Sequence, residues 1–176
     1  MLAILSLIAV AGRIAGAQAP DWRVDAAAML LPEAWDYNEA RESLAGAGIG
    51  VDRRLGGPLA ARIEALVLRV GQGGDDAWLR GVTLGTRARW SLLAMAPFFD
   101  VAVGVSTATT AVPMRGTTFN YLAVLGGGIE VPMRGLELAF GARWLHLSNN
   151  GRHGRHRNPD LQTLGAVVGV GWKNVF

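Results

Sequence analysis

The sequence predicts an all-β fold: an eight-stranded antiparallel transmembrane β-barrel with an apolar exterior facing lipid and a filled polar lumen. Three observations carry that expectation. Apolar and polar residues alternate with period two in stretches of roughly 10 to 14 residues, the side-chain period of a strand. The more polar face is rich in Gly and mixes acids with Arg, as a narrow lumen requires if its buried charges are to pair. The bulky apolar face carries Trp78 and Trp90 twelve positions apart, roughly 30 Å along the barrel axis for a tilted strand, which is about the spacing of two aromatic girdles. A soluble sandwich or lipocalin inverts the faces and is the competing architecture.

Eight strands are expected at 21–31, 43–52, 59–70, 78–90, 93–105, 117–131, 135–148 and 162–176. The first and third are the least regular, because Ala-rich stretches and the Arg62/Glu64 pair blur the period. In 78–90 the apolar row is Trp78, Val82, Leu84, Ala88 and Trp90, broken by Arg80, and Thr83, Gly85, Arg87 and Arg89 stand opposite. Phe99, Val101, Val103 and Val105 oppose Asp100, Gly104 and Ser106. In 117–131, Phe119, Tyr121, Ala123, Leu125, Ile129 and Val131 share one face. In 135–148, Leu136, Leu138, Phe140, Ala142 and Trp144 oppose Glu137, Gly141 and Arg143. The last strand sets Leu164, Val168, Val170, Trp172 and Phe176 against Gly165, Gly169, Gly171 and Lys173. A barrel of eight strands is filled by side chains, which excludes a porin. Glu64, Glu130, Glu137, Arg87, Arg89 and Arg143 are expected to pair inside it. Residues 132–135 form a short turn at the end holding both termini, and the longer segments 32–42, 106–116 and 149–161 lie at the other end.

Composition narrows the rest. Of 176 residues 51% are apolar and 18% charged, which argues against disorder. No Cys is present, so disulfides, thiolate metal sites and a Cys nucleophile are excluded. The three His all lie between positions 146 and 156, leaving little for a multi-histidine metal centre, and no cofactor is expected. Sixteen Arg and one Lys against 14 acids give a net charge of +3, but the Arg are spread along the chain, so no nucleic-acid partner is expected. The run Leu2–Gly12 followed by Ala15-Gly16-Ala17 has the form of a signal peptide at 1–17, leaving a barrel domain at 18–176. No segment of the mature chain holds 18 consecutive apolar residues, so no transmembrane helix is expected.

One stretch carries chemistry: Arg143-Trp144-Leu145-His146-Leu147-Ser148-Asn149-Asn150-Gly151, then the basic loop 152–157, then Asn158-Pro159-Asp160-Leu161-Gln162. His146 and Ser148 are two apart in a strand and share the face assigned to lipid. Gln162 has the same parity on the next strand, so the hairpin brings it beside them. A Ser/His pair on a lipid-facing rim is a candidate nucleophile and general base whose substrate arrives through the membrane. The same residues also suit a strand that has already left the hydrocarbon and meets head groups.

His146-x-Ser148-Asn149 followed by Asn158-Pro159-x-Leu161 resembles the lipid A 3-O-deacylase family, PagL-type outer-membrane barrels similar to acyloxyacyl hydrolases. The motif covers about 20 residues, and the segment 35–51 has a similar character. The resemblance implies an integral outer-membrane protein that removes an ester-linked acyl chain from lipid A of lipopolysaccharide without a metal. It implies Ser148 as nucleophile and His146 as base. At the position of the family's orienting Glu this chain has Gln162, and Asp160 is the nearby carboxylate that would take its place. Asn149, Asn158 and the backbone N–H near Gly151 match oxyanion donors, although Asn-Asn-Gly and Asn-Pro are also ordinary turn formers. Arg152, Arg155 and Arg157, with His153 and His156, are candidate ligands for lipid A phosphates or simply a solvated basic loop. Family members also form homodimers. A barrel that keeps the scaffold without activity, and acyl transfer in place of hydrolysis, are the alternative functions.

Overall fold

In the computed structural model, which describes residues 21–35, 41–92, 94–154, 157–158 and 160–173, the chain forms eight strands. They are β1 (Trp22–Pro32), β2 (Ser43–Gly56), β3 (Leu59–Gly71), β4 (Ala77–Arg89), β5 (Ala96–Val112), β6 (Thr117–Met133), β7 (Leu136–Ser148) and β8 (Leu161–Lys173). Each pairs antiparallel with its sequence neighbours, and β1 pairs with β8 to close the barrel. Closure removes both sheet edges, so every strand has two hydrogen-bonded neighbours. Among the described residues no helix is long and apolar enough to cross a membrane. The expected leader at 1–17 and the terminal Phe176 lie outside the described residues.

The strand order matches expectation, and the ends differ where alternation continues past a break in hydrophobicity. Residues 106–112 belong to β5 rather than to a long loop, because Ser106, Thr107, Thr109 and Thr110 sustain the pleat with polar or β-branched residues. The connection to β6 is therefore only 113–116. At the end holding the termini, β6 and β7 are joined by Arg134 and Gly135 alone, with φ of 38° and 88°. Two successive left-handed residues match the right-handed twist of a two-residue hairpin.

The outward row is apolar all around the barrel. Trp78 and Trp90 are 53% and 47% exposed, one near each rim, and Leu84, Val103, Ile49, Phe140 and Val168 are exposed between them. The bulky faces thus point outward, and the small and charged ones point in.

The lumen is filled in two layers. The half nearest the termini holds Arg23, Arg62, Arg87, Arg89 and Arg143 interleaved with Asp25, Asp52, Glu64, Asp100, Glu130 and Glu137. Arg62 bridges Asp25 at 2.6 and 2.9 Å, Asp52 at 2.7 Å and Glu64 at 3.2 Å. Arg87 holds Asp100 through two bonds of 2.6 and 2.7 Å and lies over the Phe98 ring. The other half is an apolar plug of Leu31, Leu44, Leu66, Leu68, Leu79, Leu122, Leu145, Leu147 and Leu161. The polar filling expected for the whole lumen thus occupies one half of it.

Glycine makes room for this network. A Cβ on Gly50 would collide with the Arg62 guanidinium, and one on Gly171 would collide with that of Arg23. Gly50→Val is expected to destabilise the barrel by about 1–3 kcal/mol through overpacking, read as a lower urea midpoint for unfolding from lipid vesicles. An unchanged midpoint would show that the guanidinium has space to retreat.

Candidate active site

The β7–β8 hairpin assembles the candidate residues at the end opposite the termini. His146 lies directly across from Gln162 on β8 and from Ala123 on β6, so the register expected from parity is present. Along β7, Leu145 and Leu147 enter the plug while Trp144 and His146 alternate to the outer wall. The imidazole stacks on the Trp144 indole, with ring centroids 5.7 Å apart and planes inclined by 10°. His146 Nδ1 is buried and has no hydrogen-bond partner.

Ser148 ends β7 and is 7% exposed. Its hydroxyl donates to Asn158 Oδ1 at 3.1 Å and accepts from the Asn150 N–H at 3.1 Å. No hydrogen bond joins it to His146 among the described residues. Asn158 is the hub of the loop: its Oδ1 also accepts the Asn149 N–H at 2.7 Å, and its Nδ2 donates to Asp160 at 3.0 Å. Asp160 therefore engages Asn158 rather than the imidazole.

The expected oxyanion donors are engaged within the same turn. The Asn149 amide donates to Thr117 Oγ1 at 3.1 Å and to the Arg157 carbonyl at 2.6 Å, and its Oδ1 accepts the Gly151 N–H at 2.9 Å. Gly151, with φ of 70°, and Asn150, with φ of 57°, take the left-handed region that this reversal demands. Turn chemistry thus uses every hydrogen-bonding group of Asn149 that the motif offers.

Arg152 and Arg157 are exposed at the rim; Arg155 and His156 lie outside the described residues. Arg152 donates to the Tyr121 hydroxyl at 2.7 Å, and Tyr121 sits directly across from Ser148 on β6. Phe119 meets Tyr121 edge-on at 5.5 Å. Tyr121 and Trp144 lie beside these residues; in the sequence Tyr121 is only a member of an apolar row, and Trp144 stands in the motif stretch with no role of its own. Their place beside Ser148 and His146 depends on the β6–β7 register and the side-chain rotamers. Among the described residues no group of three or more His, Asp or Glu is arranged to hold a metal ion.

No protein-family model and no curated protein sequence matches the chain. Solved structures do. The crystal structure of the outer membrane enzyme PagL is similar with a TM-score of 0.63 at 15% identity, covering 84% of this chain and 97% of that one. Neisserial surface protein A has a TM-score of 0.61 at 13% identity, covering 90% of this chain and 99% of that one. Ail, the attachment invasion locus protein of Yersinia pestis, has a TM-score of 0.50 at 11% identity, covering 89% and 99%. An enzyme and surface proteins thus share this architecture, and fold does not select among their activities. With its apolar outer wall and charged, filled interior, the chain is an eight-stranded antiparallel barrel of the bacterial outer-membrane type.

Proposed function

We propose that the chain is an outer-membrane serine esterase that removes an ester-linked acyl chain from lipid A at the 3-position. The observation that carries this is the hairpin register: His146, with a buried and unpartnered Nδ1, faces Gln162 across the outer wall, and Ser148 follows two residues later at the rim. The half-exposed Gln162 side chain makes no hydrogen bond among the described residues, so its amide is free to pair with the imidazole across from it.

In the proposed reaction His146 leaves its stack on Trp144, and its Nε2 takes the Ser148 proton as Oγ attacks the ester carbonyl. Gln162 Oε1 accepts the Nδ1–H and fixes the tautomer. Collapse breaks the bond to the sugar oxygen, which receives the proton from His146. A water, deprotonated by His146, then attacks the acyl-Ser148 carbonyl, and the bond to Ser148 Oγ breaks as His146 returns the proton to Oγ, releasing the fatty acid. The bilayer holds the acyl chain against the wall beneath Trp144, so proximity comes from the membrane rather than from a closed pocket. Arg152, Arg157 and Arg155 serve the lipid A phosphates through charge-assisted bonds. Asn158 and Asn149 with the Gly151 N–H serve the oxyanion once the turn rearranges.

A second function, a barrel retaining the scaffold without hydrolysis, is favoured by two observations. The Ser148 hydroxyl is held by Asn158 and Asn150, and the group across from His146 is uncharged.

Purified chain in mixed micelles with lipid A separates the two by mass spectrometry. Hydrolysis appears as loss of one acyl chain and an equivalent of free fatty acid; transfer leaves the chain on an acceptor. Gln162→Glu is expected to raise the rate roughly 10²-fold, inside the roughly 10⁴-fold effect of exchanging an amide for a carboxylate in a triad. Intact lipid A with both wild type and Gln162→Glu would establish the non-catalytic barrel.

A further inference from the structure

Arg80 breaks the apolar row of β4. It is exposed on the outer wall between Trp78 and Val82, and it faces Val67 of β3 and Thr107 of β5. Arg80 forms no hydrogen bond or ion pair among the described residues. Arg69 of β3 points the same way directly across from Trp78, and its guanidinium donates to Asp76 at 3.0 and 2.5 Å. The cluster of Arg80, Arg69 and Asp76 carries a net positive charge. It lies on β3–β4, separated from the β7–β8 hairpin by two strands in either direction around the barrel.

A lone guanidinium on a lipid-facing wall is costly at the bilayer centre and nearly free at the interface. Two positions from the Trp78 girdle, Arg80 reaches that interface by extending its stem along the wall. The acceptor a membrane offers at that height is a headgroup phosphate, whose oxygens match the guanidinium fork. Because Arg80 sits on the bilayer side of Trp78, the ligand must be a molecule whose acyl chains also cover Val82 and Leu84, which favours a lipid over free phosphate.

The geometry points to a second lipid site on β3–β4, where Arg80, assisted by Arg69, binds the phosphate of a phosphorylated lipid in the leaflet at the loop end. The site rests on the membrane-spanning orientation and not on catalysis. The test therefore uses the Ser148→Ala chain, in which hydrolysis plays no part. Native mass spectrometry of that chain in detergent micelles would be run with diphosphorylated lipid A, with the same lipid A after dephosphorylation, and with inorganic phosphate as competitor.

Arg80→Gln is expected to weaken retention of the phosphorylated lipid about five-fold, the effect of one basic side chain near an anionic surface. Arg69→Gln is expected to do less, since Asp76 already neutralises that guanidinium. Retention of the dephosphorylated lipid should be the same in all three chains, and inorganic phosphate should not displace the lipid. Equal retention by the parent and Arg80→Gln, with both showing heat-modifiable migration on gels, would overturn the site. Displacement by inorganic phosphate would overturn its assignment to a lipid.

Discussion

Ser148→Ala is expected to reduce fatty-acid release from lipid A by at least roughly 10³-fold, because removing the nucleophile of a coupled triad removes nearly all of its catalysis. The hydroxyl also closes a turn, accepting from the Asn150 N–H and donating to Asn158. A loss of activity alone would therefore not distinguish chemistry from local disorder. His146→Ala supplies the distinction, since the imidazole takes no part in that turn and its Nδ1 has no partner to lose. Both variants should lose activity by similar factors, and the double variant should be no worse than either, as for residues that act as a unit. Ser148→Ala should in addition lower stability by about 1 kcal/mol for the lost hydrogen bonds. Independent, additive losses would remove Ser148 and His146 from a common mechanism.

Arg62→Ala is expected to be the most destabilising single change in the lumen. Arg62 contacts three carboxylates, those of Asp25, Asp52 and Glu64, and is 3% exposed. Its removal leaves excess negative charge among buried carboxylates, and breaking such a buried pair costs about 3–5 kcal/mol. Urea unfolding from lipid vesicles should show the loss. Adding Asp25→Ala should recover part of it, because Asp25 receives two of the Arg62 bonds and its removal restores the net charge of the lumen. A double variant less stable than Arg62→Ala would contradict the electrostatic origin of the effect.

Most of the architecture was legible in the sequence because a barrel strand writes its two faces in alternate positions. Trp78, Leu84, Phe140 and Val168 are exposed as their parity required, and Arg87, Glu130 and Arg143 are buried in ion pairs. The plug was not legible. Leu145 and Leu147 alternate with Trp144 and His146, so near the loop end the inner face is at least as apolar as the outer one and hydropathy gives no contrast. The length of β5 was missed for a related reason: Thr107, Thr109 and Thr110 look like a polar loop in composition but form strand.

At the site, parity correctly placed His146 opposite Gln162, since a hairpin register follows from counting out from its loop. It said nothing of where the Ser148 hydroxyl turns, because rotamers and loop hydrogen bonds depend partly on groups ten or more positions away. Asn158 reaches Ser148 across the loop, and Thr117 holds Asn149 from β6.

By itself, then, the sequence determined the eight strands, which side of each meets lipid and that His146 pairs with Gln162 across the hairpin. These are consequences of a period of two and of the cost of burying unpaired charge. Only the tertiary structure decided that the lumen divides into an ionic half and a leucine half. The same holds for Tyr121 beside Ser148, for His146 stacked on Trp144 with Nδ1 unmatched, and for Arg80 left without a partner on the far wall. Each of these depends on contacts between strands or side chains, which alternation along one strand does not encode.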